Sequence, residues 1–402
     1  MKKILTLLFT LILTTTIFPC TTLVISGKFT TDGRPIIWKL RDTENYKNSM
    51  MFFEDGKYKY IGLINSEDTE GKNVWAGANS EGFSIMNSAS YNVNLNDTTS
   101  KKDLEGIIMK MALQQCATLE DFEKLLDNLE KPMGLASHFG VIDGNGGAAF
   151  YEVNNYTYTK FDANDSKTAP NGYILRTNFS MTGKENIGYG FIRFETAENL
   201  LTANTSKLNY QEIIQKYSRC LKHSLLNKDF RTEYEKIPYG ENFINSGDLI
   251  TRHGSASAII IQGTKENEPK DLNMIWTLVG FPSTSVAIPV WVKGGKNLPT
   301  LLVKDSTNNA PLNNYALALK NKCYPISRSS GFKYLNISEL VNSEGTGIIQ
   351  KIEKLETTIF EETEKKLSDW RNKKVTETEI NKFYRWIDNY VVENYRKEFE
   401  LE

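Results

Sequence analysis

TIFPCTTLVISGKFTTDGRPIIWKLRD, residues 16–42, runs from the end of an apolar leader into a cysteine, then into a strand, a turn and a second strand. TTLVIS is short and β-branched, TTDGR carries Asp-Gly turn chemistry, and PIIWK resumes the extended pattern. The segment therefore predicts a hairpin whose first strand opens at Cys20. Upstream, Lys2 and Lys3 precede an apolar run from Ile4 to Phe18 interrupted only by threonines. The run is shorter than the roughly 20 residues a spanning helix needs, and its place behind two cations is that of a secretory signal. The expectation is a leader over residues 1–19 and an exported protein, periplasmic or extracellular. An uncleaved membrane anchor stays open as the alternative.

The 402 residues are 40% apolar and 11% aromatic, which is enough for one large core or two ordinary ones. The 48 basic residues nearly cancel the 49 acidic ones, so no global charge draws in nucleic acid or an anionic membrane surface. Binding has to be local. Only four cysteines are present, too few for a disulfide scaffold in an oxidising compartment. With Cys20 set aside for chemistry, Cys116, Cys220 and Cys323 read as buried small hydrophobes.

Further strands are expected at KYKYIGLI, NVWAGAN and FSIMNSAS, then a helical pair over Asp103–Cys116 and Leu119–Leu129, and a second hairpin made of HFGVID and AAFYEVN around the turn GNGG. GYILRTN reads as a strand, Tyr189–Leu201 and Tyr210–Leu225 as helices, and SASAIIIQG, MIWTLVG and AIPVWVK as late strands. Strands in runs with helices in pairs between them argue for an α+β layered fold rather than alternating βαβ units. From about Asn342, Ile348, Ile352, Leu355 and Ile359, then Ile380, Phe383, Ile387 and Tyr390, recur at helical spacing in a charged background and predict two amphipathic helices broken near RNKKVTE. The expected division is a leader over 1–19, a catalytic domain over 20–300 and a mostly helical extension over 301–402 packed on that domain.

If the leader is removed between Pro19 and Cys20, the new first residue carries a thiol and a free α-amine, whose ordinary pKa of roughly 7.7 to 8.0 suits a base near neutrality. Nucleophile and base are then one residue. Pro19 is a poor residue before a signal-peptidase cut, so cleavage upstream followed by self-processing or trimming to Cys20 is a live alternative. A cysteine closing a leader also fits a bacterial lipoprotein, in which acylation of the amine destroys the base. A papain-like pairing of Cys20 with His138 or His253 lacks that family's local signature. The three histidines, His138, His223 and His253, offer no metal-ligand spacing, and no Gly-rich phosphate loop opens a helix, so no cofactor or metal is expected.

CTTLVISGKFTTDGRPIIWKLRD, together with NSEGFSIMNSAS, HFGVIDGNGGAAFYEVN, YILRTNFS and SASAIIIQG, resembles the secreted N-terminal-nucleophile hydrolases. The nearest groups are the choloylglycine hydrolases with penicillin V acylases and the isopenicillin N acyltransferase-like proteins that cleave linear amide C–N bonds. The resemblance runs from Cys20 to about Val292. It implies a four-layer αββα sandwich with a helical C-terminal extension, and Cys20 as nucleophile. It further implies that Asp42 holds the α-amine, that Asn87 helps form an oxyanion hole, and that Asn178 orients amine and substrate. Lys39 falls where choloylglycine hydrolases have an arginine beside the thiol; the lysine keeps the charge without the bidentate fork, and Arg41 is placed to share that role. Arg193 matches a site arginine.

The expected activity is hydrolysis of a small-molecule N-acyl amide of bile-acid-conjugate, penicillin V or N-acyl amino acid type through an acyl-Cys20 thioester. Two alternatives remain: an acyltransferase that passes the acyl group to an amine, and a non-catalytic surface lipoprotein that binds ligands. Neither nucleic acid nor stable membrane insertion is expected, and assembly into a homo-oligomer stays open.

Overall fold

The computed structural model describes residues 19–99, 101–204 and 206–401. Residues 1–18, most of the expected leader, lie outside the described residues. The opening hairpin pairs β1 (Thr21–Ile25) with β2 (Ile36–Asp42). The chain then lays down a continuous antiparallel meander of β3 (Asn48–Phe53), β4 (Tyr60–Asn65), β5 (Ala76–Asn79), β6 (Ser84–Ala89), β7 (Ser137–Ile142), β8 (Ala148–Val153) and β9 (Tyr158–Asp162). It returns to the first sheet with β10 (Tyr173–Arg176), β11 (Ser255–Gln262), β12 (Met274–Val279) and β13 (Ile288–Trp291), giving the order β10-β1-β2-β11-β12-β13. Every neighbouring pair in that sheet is antiparallel.

Period-two alternation sorts the side chains of β2 between two faces. Lys39 turns toward the seven-stranded sheet, where its ammonium meets Trp75 and Asn87. Trp38 turns the other way and gives its indole N–H to Ser218 at 2.8 Å. On the far face of the seven-stranded sheet, Phe139 and Tyr151 pack edge-on against Phe122 of α2 (Leu119–Asn128), which lies beside α1 (Glu105–Gln115). Thr118 and Asp121 form a reciprocal cap that starts α2. On the far face of the six-stranded sheet, Trp276 stacks on Tyr210 and meets Phe360 edge-on. That layer contains α3 (Phe191–Ala203) and the long helix α5 (Ile348–Asn372); α4 (Pro311–Cys323) and α6 (Glu377–Phe399) accompany them. The result is a four-layer αββα sandwich of α+β class.

The helix expected over Tyr210–Leu225 is corrected. It stops at Tyr217, where the Ser218 N–H and hydroxyl both close on the Ile213 carbonyl in a π-type turn. The chain then forms a small hairpin of Lys222–His223 and Lys228–Asp229. Arg219 makes the break worthwhile. Its fully buried guanidinium donates to the carbonyls of Pro282 and Ser285 and to both carboxylate oxygens of Glu356 on α5, at 2.7 and 2.5 Å. Glu356 also accepts the N–H of Ala287. Glu356→Ala leaves that guanidinium buried without its anion and is expected to lower unfolding stability by about 3 to 5 kcal/mol. Urea denaturation measures it, and a loss below about 1 kcal/mol would contradict the assigned role.

Candidate active site

Cys20 stands at the head of β1 and is 6% exposed. Its backbone is gripped from both sides. The N–H donates to Oδ1 of Asn178 at 2.9 Å, and the carbonyl accepts from Nη1 of Arg193 at 2.6 Å. Arg193 also donates to Thr21 Oγ1 and, through Nη2, to the same Asn178 oxygen, both at 2.8 Å. Burial foremost, then the charge of Arg252, pushes the Arg193 guanidinium down to about 9. Its path is cleared by Gly190, which precedes α3 at φ +87°; a Cβ there would collide with Nη2 of Arg193. Asn178 follows β10 and is braced through its Nδ2, which donates to the Ala89 carbonyl at 2.9 Å.

The opposite wall is Lys39, 2% exposed, whose ammonium donates to the Trp75 carbonyl at 2.8 Å and to Asn87 Oδ1 at 2.6 Å. With Oδ1 so occupied, the Asn87 Nδ2 points elsewhere, and its nearest partner is a long 3.5 Å contact to Ser137 Oγ. Burial pushes Lys39 down to about 7 against the opposing pull of Cys20. Arg41 turns to Asn48 and Asn65 and lies over the Trp75 ring, 4.7 Å from its centroid. Burial takes Arg41 to about 10, again opposed by Cys20.

A titrating lysine in the sheet core makes stability depend on pH. Its folded pKa lies below the ordinary 10.5, so between about 7 and 10.5 the unfolded chain holds a proton that the folded chain has released. Stability rises with pH across that window, and the cost of the buried charge is felt in full below it. Lys39→Met removes this dependence. Urea denaturation at pH 6 and pH 9 is expected to show a smaller gain toward pH 9 in the variant than in the parent; equal gains would contradict the burial argument.

Asp42 is where the structure departs from the implied arrangement. The Cys20 N–H goes to Asn178, while the Asp42 carboxylate is taken by Arg252 Nη2 and by Ser255 Oγ at 2.6 Å. Burial raises the Asp42 carboxyl even though Arg252 and Arg193 pull the other way. The same Arg252 nitrogen reaches the Pro19 carbonyl at 3.4 Å, so the peptide bond joining Pro19 to Cys20 is held at its oxygen by Arg252 and at its nitrogen by Asn178. Sequence reading missed Arg252 and Ser255, which sit in RHGS, whose serine opens the strand SASAIIIQ. The only available signal was their place at the entry of a buried strand.

His138 is fully buried between Ser88 and Ser180, at 2.9 and 2.8 Å, and burial pushes it down to about 3. His253 faces Tyr46 and is pushed to about 4, by burial first and by Lys320 next. Both histidines thus have structural partners. Cys116, Cys220 and Cys323 are buried free thiols, all pushed above the ordinary range by burial.

Residues 41–239 match the family described as acyl-coenzyme A:6-aminopenicillanic acid acyl-transferase. No curated protein matches the chain. Among similar solved structures is a Caenorhabditis elegans orthologue of N-acylethanolamine-hydrolyzing acid amidase, 15% identical, covering 48% of this chain and 84% of its own, with a TM-score of 0.38. A mutant conjugated bile acid hydrolase from Clostridium perfringens is 13% identical over 68% of this chain and 92% of its own, with a TM-score of 0.39. The penicillin V acylase from Agrobacterium tumefaciens is 13% identical over 68% and 86%, with a TM-score of 0.38.

Proposed function

Because the chain belongs to the N-terminal-nucleophile hydrolases of the choloylglycine hydrolase and penicillin acylase family, we propose that it is an exported amidase whose nucleophile is Cys20, freed by removal of residues 1–19. The observation that carries the reading is the double grip on the Cys20 backbone by Asn178 and Arg193, side chains brought in from 158 and 173 residues away. A cysteine that merely packed would need no such clamp on its own amide.

In this reading the freed amine takes the thiol proton as the sulfur attacks the acyl carbon. Asn87 Nδ2 donates to the developing oxyanion, and Lys39 holds that amide in orientation. Collapse breaks the C–N bond, and the Cys20 amine returns the proton to the departing nitrogen. Water, deprotonated by the same amine, then releases the acid and restores the thiol. Loss of the Pro19 acyl group gives the Cys20 nitrogen further protons, and Asp42, already joined to the Pro19 oxygen through Arg252, is the acceptor we assign to them.

The substrate is a linear N-acyl amide: a bile-acid conjugate, penicillin V or an N-acyl amino acid. The test follows release of free amine from one probe of each kind by protein with a free Cys20 amine. Release from at least one is expected, and none from any would contradict the reading. The match to an acyl-transferase family favours a second outcome, transfer of the acyl group to an amine. Adding 6-aminopenicillanic acid to the same assay separates the two, since a transferase makes new amide at the expense of free acid.

A further inference from the structure

We infer that Lys320, carried by α4 outside the two sheets, is a positioning residue of the Cys20 site that acts through the turn bearing Arg252. Lys320 is 4% exposed, and its ammonium donates to the carbonyl of His253, the residue next to Arg252. It sits over the Tyr46 ring, 3.7 Å from the centroid, with Phe281 at 5.7 Å. The Tyr46 hydroxyl reaches His253 Nδ1 at 3.3 Å, and the Tyr46 carbonyl accepts from Asn313, also on α4, at 3.0 Å. The turn it holds closes on Asp42 and its neighbour: Arg252 and Ser255 donate to the Asp42 carboxylate, and the Gly254 carbonyl accepts from the Thr43 N–H. One further step along Arg252 lies the Pro19 oxygen.

Burying an ammonium among aromatic rings is expensive, and burial indeed takes Lys320 down to about 7. A methionine would fill the same space at less cost, so packing alone does not account for a lysine. What the charge adds is a charge-assisted bond that fixes the turn, together with attraction to Asp42. The helical extension thereby supplies a working part of the site, and its removal would loosen the anchor of Arg252.

This inference rests on the reading of Cys20 as nucleophile, and the experiment keeps the two apart. Lys320→Met and Lys320→Gln are compared with the parent by kcat and KM on whichever N-acyl amide the parent hydrolyses, with active sites counted by iodoacetamide labelling of Cys20. The expected result is a kcat lower by about tenfold or more per labelled site, with KM within about twofold. Unchanged kcat per labelled site in an active family of proteins overturns the inference alone, and a lower Tm with normal kcat does the same by making Lys320 merely structural. If Lys320→Met does not fold, Lys320→Gln, which keeps an N–H donor, decides by the same measure. A parent that hydrolyses no amide overturns the underlying reading, and this inference with it.

Discussion

Cys20→Ala is expected to lose amide turnover by about a thousandfold or more while keeping the fold of the parent. The side chain is the one group in the proposed reaction that forms and breaks a covalent bond with the acyl carbon, so nothing else in the site substitutes for it. The fold survives because the clamp holds backbone atoms. Asn178 bonds the Cys20 N–H and Arg193 its carbonyl, and alanine presents both unchanged. The lost sulfur is one buried small side chain at a strand end. Circular dichroism and Tm should match the parent, whereas free-amine release should vanish. Turnover at the parental rate in the variant would end the nucleophile assignment.

Asn87→Ala is the second large effect: kcat lower by about a hundredfold or more, with KM little changed. From the sequence, Asn87 is expected to help form the oxyanion hole and Asn178 to orient amine and substrate. Their hydrogen bonds separate them. Asn178 spends Nδ2 on the Ala89 carbonyl and Oδ1 on Cys20 and Arg193, so it holds the Cys20 backbone. Asn87 spends Oδ1 on Lys39 and leaves Nδ2 with only the long contact to Ser137. A donor so poorly occupied suits a charge that exists only in the transition state. Asn87→Asp, which keeps the oxygen for Lys39 and removes the donor, is expected to lose as much as the alanine variant. A loss confined to KM would make Asn87 a binding residue instead.

Much of the scaffold was legible because its strands announce themselves locally. TTLVI and PIIWK around an Asp-Gly turn, and SASAIIIQ with its β-branched run, pair in the structure as an inner part of one sheet. The two amphipathic helices near the C-terminus follow from the spacing of Ile348, Ile352 and Leu355, and of Ile380, Phe383 and Ile387, all buried. Strand Asn48–Phe53 escaped because NSMMFF lacks clear alternation and β-branched residues, although Asp55-Gly56 follows it, and helix Pro311–Cys323 because its buried positions include Asn313 and Lys320. The helix ending at Tyr217 stops for a reason no local pattern carries, namely the pull of Glu356 on Arg219 from 137 residues away.

The site divides in the same way. Cys20, Lys39, Asn87, Asn178 and Arg193 were named from sequence; the structure ties Cys20, Asn178 and Arg193 together by hydrogen bonds and pairs Asn87 with Lys39, whose ammonium feels the Cys20 charge. Arg252 and Ser255 were invisible because they meet Asp42 across 210 and 213 residues through a turn, not through any motif. Asp42 was expected to hold the free Cys20 amine; with Pro19 still joined to that nitrogen, its carboxylate is taken by Arg252 and Ser255.

The most direct test is the mass of the N-terminal peptide from protein purified from its exporting host, taken before and during reaction with a slowly hydrolysed N-acyl amide. The account predicts a chain that begins at an unmodified Cys20 and that gains the acyl mass on Cys20 while substrate lasts. A chain that retains Pro19 or carries lipid on Cys20, and still turns over the amide, would contradict it.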